Sequence, residues 1–99
     1  MTVERMYLGT PQTNKLPVYQ VGGRRAKVTQ IILSNTEQIE AKITLTLNTI
    51  DVMKDYKLDP GETQFLNVLI PLKENDSLAL QQDKENAINV TISGELEEF

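Results

Sequence analysis

Any chemistry in this chain must come from carboxylates, lysines, arginines and hydroxyls, because its 99 residues include no Cys, His or Trp. That rules out a disulfide framework, a zinc finger, a Ser-His-Asp triad, a Cys-His dyad and a haem axial histidine. Asp51, Asp55 and Asp59 recur every four residues and would share one face of a helix, an arrangement that could hold a cation. No EF-hand spacing surrounds them. Glu74, Asp76 and Asp83 form a second acidic group, for which calcium is the cation to consider. Two carboxylates suffice for a glycosidase, but nothing in the spacing sets the separation that reaction needs. We read all of these as solvated loop carboxylates and the chain as a non-enzyme, with no catalytic residue, cofactor or metal.

The one basic cluster, Gly22-Gly23-Arg24-Arg25, lacks the helix and the Lys-Ser/Thr pair of a phosphate loop. It reads as a hairpin connection with positive-φ glycines and both arginines in water, or else as a salt bridge to an acidic partner surface. Ten basic against 14 acidic side chains give a net charge of −4, which argues against nucleic acid, since phosphate binding wants a basic face. Glu4 and Arg5 stand where the apolar segment of a secretory signal would begin. The longest nearly apolar stretch, residues 68–72, is far short of a membrane span. Folding in a cytoplasm, without a membrane partner, is the expectation.

The elements that would position these groups are strands. Ala41, Ile43, Leu45 and Leu47 alternate with Lys42, Thr44, Thr46 and Asn48; Ile88, Val90 and Ile92 alternate with Asn89, Thr91 and Ser93. Period two of this kind marks half-buried strands, and each inward residue contributes roughly 1.5–3 kcal/mol when fully buried, less for Ala41. Residues 27–34 break alternation, and a bulge near Gln30 would bring Val28, Ile31 and Leu33 to one face. Residues 63–70 are dense enough to be buried on both sides, with Phe65 in the core and Pro71 ending the strand or marking an edge. Residues 77–81 and 16–21 are further short strands, with Pro17 suited to an edge. Asp59-Pro60-Gly61-Glu62 has the Pro and Gly of a type II turn. Residues 50–57 fit either a strand or one helical turn.

Six to eight short strands with no long helix give an all-β fold, an antiparallel β-sandwich of jelly-roll or immunoglobulin-like topology. We expect a single domain over residues 15–99, preceded by an arm over 1–14 that is dispensable for folding. The outward Thr44, Thr46, Asn48, Asn89 and Thr91 are polar but uncharged, whereas an exposed sheet face usually carries Lys and Glu. Together with Tyr7 and Leu8 of the arm and Phe99 at the C-terminus, they are the expected contacts to other subunits or to a larger assembly. The alternative is a glycan-binding module for a host surface. For that, the chain offers Tyr7, Tyr19 and Tyr56 on separate segments, without a visible aromatic cluster.

The linear order of features resembles the small β-sandwich accessory proteins of tailed-bacteriophage and prophage virions. The resemblance is carried by Tyr7, Leu8, Thr10 and Pro11, by Tyr19-Gln20-Val21, and by the Gly-containing turn that feeds a strand ending in Asn35-Thr36. It continues through Leu58-Asp59-Pro60-Gly61-Glu62 and the Asp76-led strand to a final strand ending in Ser93-Gly94. Gly22-Gly23-Arg24-Arg25 departs from the pattern, which would place Pro or Ala beside the Gly. The resemblance implies a non-enzymatic virion protein, displayed on the capsid as a decoration or attached to the tail. It also implies a homo-oligomer, a trimer first, with other capsid or tail proteins as partners.

Overall fold

A computed structural model of the chain describes residues 2–23 and 25–96, with only the backbone of Thr2. These residues form eight strands: β1 (Thr2–Gly9), β2 (Leu16–Gln20), β3 (Ala26–Asn35), β4 (Ala41–Leu47), β5 (Ile50–Leu58), β6 (Thr63–Leu72), β7 (Ser77–Gln82) and β8 (Ile88–Leu96). They make two antiparallel four-stranded sheets, ordered β1-β8-β3-β6 and β2-β7-β4-β5.

The pairing follows one rule. The β4–β5 hairpin is the tip of a two-stranded ribbon that continues through β3 with β6, β2 with β7, and β1 with β8. Successive rungs fall in alternate sheets, and β3–β8 and β4–β7 pairing stitches the rolled ribbon closed. This is a jelly roll, one of the two topologies the sequence leaves open.

The inward residues of β4 and β8 behave as their period-two pattern requires. Ala41, Ile43, Leu45, Ile88, Val90 and Ile92 are fully buried, and Leu47 packs against them. Register shifts between Val28 and Gln30 in both ladders of β3 are the expected bulge, and Val28, Ile31 and Leu33 all face the core. Glu62 N–H donates to the Asp59 carbonyl at 3.0 Å and Gly61 takes φ +71°, which makes the type II turn. Pro17 lies on β2, an edge strand.

Other expectations need correction. The arm over 1–14 is, over Thr2–Gly9, strand β1, an edge of the first sheet with Met6 in the core. Its alternation is hidden by a register shift between Arg5 and Tyr7. Residues 50–57 belong to strand β5, so Asp51, Asp55 and Asp59 do not share a helical face. Strand β6 is not buried on both sides. It is an edge whose outward residues are exposed, and Phe65 is 63% exposed rather than in the core. The Gly22-Gly23 segment is no hairpin: it carries the chain from one sheet to the other, and neither glycine takes positive φ. Arg24 lies outside the described residues.

Candidate interaction face

The outer face of the β1-β8-β3-β6 sheet follows from its registers. Leu8 lies opposite Thr91, Thr91 opposite Ile32, and Ile32 opposite Phe65, so one row across all four strands carries three large apolar side chains and a threonine. Beside it Asn89, Ser34 and Thr63 form a neutral polar row. There Thr10 Oγ1 donates to Asn89 Oδ1 at 2.6 Å, and the Ser34 and Thr63 hydroxyls lie 3.1 Å apart. On the other side run Arg5, Ser93, Gln30 and Asn67. Charge gathers at one end, where Lys27 pairs with Glu95 at 3.0 Å. Val3, Leu8, Phe65 and Leu69 are each more than half exposed.

Of the contact residues read from the sequence, Leu8, Asn89 and Thr91 come together on this face. The rest do not. Thr44 and Thr46 are buried, beside a β4–β5 ladder that carries two register shifts. Their hydroxyls are engaged there: Thr44 Oγ1 accepts from Asp55 N–H at 3.1 Å, and Thr46 Oγ1 donates to Asp51 Oδ1 at 2.7 Å. Asn48 sits in the β4–β5 turn at φ 58°, its amide bonded to Asp76 Oδ1 and Ser77 N–H. Tyr7 is half-buried against the core, and burial raises the pKa of its hydroxyl. Phe99 lies outside the described residues.

The residues missed are Ile32, Phe65 and Leu69. In β6 the apolar residues occupy both alternating sets, Phe65 and Leu69 on one and Leu66, Val68 and Ile70 on the other. Periodicity therefore cannot say which set faces out. In β3 the run Ile31-Ile32-Leu33 has the same ambiguity.

The outer side of the second sheet is different in kind. A polar groove of about 370 Å³ is lined by Lys15, Lys42, Lys54, Asp51, Asp55, Asp83, Thr13, Thr44, Gln81 and Gln82. Its charges are of both signs: Lys15 Nζ donates to Asp51 Oδ1 at 3.0 Å, and the Asp83 carboxylate accepts from the backbone N–H of Lys42 at 2.7 Å. The Thr46 hydroxyl, then Lys15, hold the Asp51 carboxyl below the usual carboxylate range. Among the described residues no aromatic ring lines this groove, and Tyr19 and Tyr56 pack against the core instead. Among the described residues no three His, Cys, Asp or Glu side chains converge to hold a metal ion. No protein-family model, curated protein or solved structure matches the chain.

Proposed function

We propose that this protein is a non-enzymatic accessory structural protein of a bacteriophage virion, displayed on the capsid or attached to the tail. The observation that carries the reading is the outer face of the β1-β8-β3-β6 sheet. It holds an exposed apolar row with a neutral polar row on one side, while on the other side charge is confined to Arg5 on the edge strand β1 and to the Lys27–Glu95 pair beyond it. A sheet face of that composition favours burial against another protein over solvation. The resemblance to small virion β-sandwiches gives the reading its setting, and a jelly roll is a fold suited to particle surfaces.

In this account Leu8, Thr91 and Asn89 meet the anchoring capsid or tail protein, and the core does no more than hold the sheet in place behind them. The test is co-sedimentation of the purified chain with separated heads and tails of the phage or prophage that encodes it. Saturable binding to one of them is expected, and Leu8→Glu should reduce it at least tenfold while keeping the far-UV spectrum. Binding to neither fraction, or binding indifferent to Leu8→Glu, would overturn the proposal.

A further inference from the structure

The four edges of the two sheets are not equally protected against pairing with another chain. Edge β1 carries Glu4, Arg5 and an irregular register. Edge β2 has Pro17 and a register shift beside it. Edge β5 carries Asp51, Lys54, Asp55 and Lys57 with two register shifts. These are the devices by which sheets avoid edge-to-edge association. Edge β6 has no charged side chain in ten residues, from Thr63 to Leu72, and among the described residues pairs with β3 alone. The register shift it shares with β3 leaves its alternation of exposure unbroken.

We infer that β6 is the self-association edge of this protein. Two copies pair their β6 strands antiparallel about a two-fold axis at Asn67, joining two four-stranded sheets into one of eight. Directly opposed residues of an antiparallel pair share a face, so the axis must pass through a residue and not between two. Centred on Asn67, the pairing sets Phe65 against Leu69 of the partner subunit on the outer face, and Leu66 against Val68 of the partner subunit on the inner one. Phe65 and Leu69 are 63% and 69% exposed in the single chain, and Leu66 and Val68 are only half-buried. Each therefore gains an apolar neighbour. Centred on Leu66 instead, Phe65 would oppose Asn67 and Leu69 would oppose Thr63. Pro71 has no N–H to offer and bounds the paired segment. The occupant is a second copy because the strand is complementary to itself, which is what an isologous two-fold interface requires.

This inference rests on β6 and not on the virion reading; it is tested on the purified chain, so either can fail alone. Light scattering behind a sizing column should give twice the 11.2 kDa chain mass. Because the chain has no Cys, Asn67→Cys introduces a single thiol. Residues opposed across the axis lie within disulfide reach. Mild oxidation should convert Asn67→Cys to a covalent dimer on a denaturing gel, while Val52→Cys on edge β5 stays monomeric. Asn67→Lys opposes like charges at the axis and should give a folded monomer. Phe65→Lys alone should also be monomeric, and adding Leu69→Glu should restore the dimer through opposed charges. A wild-type monomer up to the solubility limit, a trimer, or a dimer that Asn67→Cys does not cross-link would each overturn the inference.

Discussion

Asn35 is the most demanding polar residue in the core, and exchanging one atom of its side chain tests the packing around it. It is 1% exposed at the end of β3. Its Nδ2 donates to the carbonyls of Ile39 at 2.8 Å, Leu58 at 3.2 Å and Asp59 at 3.2 Å, while Oδ1 accepts from Glu37 N–H at 3.0 Å. One amide thus ties the β3–β4 connection to the end of β5. Asn35→Asp keeps the shape and Oδ1 but turns an oxygen toward three carbonyl oxygens. Buried groups left without a partner cost about 1–3 kcal/mol, and each unit by which the carboxyl pKa rises adds about 1.4 kcal/mol. We expect a loss of about 3–5 kcal/mol near pH 7.5, against a total of roughly 5–15 kcal/mol for a domain of this size. The introduced carboxyl should have its folded-state pKa raised above its unfolded value of about 3.9. The added loss is therefore small below that pH and grows as pH rises toward the folded value. Asn35→Ala removes the bonds without the charge, so its loss should not share that dependence. Chemical denaturation followed by far-UV circular dichroism at several pH values measures both. A deficit under about 1 kcal/mol for Asn35→Asp, or one that does not vary with pH, would refute the reasoning.

Three further outcomes are expected. A Cβ at Gly94 would run into the Lys27 carbonyl oxygen and come within 2.7 Å of Met6 Cε. Gly94→Ala should cost about 1–3 kcal/mol by forcing β8 and β3 apart, seen as a lowered denaturation midpoint. Deleting residues 2–13 removes β1, Met6 and the Pro11 carbonyl to which the buried Gln82 Nε2 donates; cooperative melting should be lost, and a truncated chain that melts as sharply as the whole would contradict the fold. The carboxyl pKa values of Asp51, Glu62 and Asp76 are lowered, chiefly by the Thr46 hydroxyl, Asp59 N–H and Lys73 N–H respectively. Their stabilisation is full above the unfolded carboxylate values near 4 and is lost as pH falls through the lowered ones. Thermal midpoints should accordingly drop on acidification below about pH 4, and less steeply in Asp76→Asn.

Strands β4 and β8 were legible because each lies inside a sheet with one face on the core, so local alternation carries the full burial signal. The type II turn was legible because Pro60 and Gly61 are dictated by backbone geometry alone. Strand β1 was obscured by the register shift between Arg5 and Tyr7, and β5 by the two that break its alternation and leave Ile50 and Val52 exposed. Thr44 and Thr46 were misjudged because their hydroxyls bond to Asp55 N–H and Asp51 on the neighbouring strand, a tertiary engagement that local alternation does not carry. Phe65 was misplaced for a related reason. Whether an apolar strand is central or at an edge depends on which strands flank it, and pairing of β3 with β6 and β8 spans most of the chain. The candidate face was therefore half visible: Leu8, Asn89 and Thr91 from their residue types, but not Ile32, Phe65 or Leu69.

The most direct test of the central claim is the composition of the particle itself. Gradient-purified virions of the encoding phage or induced prophage, analysed by quantitative mass spectrometry, should contain this chain at a fixed number of copies per particle. Its absence from purified particles, while it accumulates in the lysate that yields them, would contradict the account.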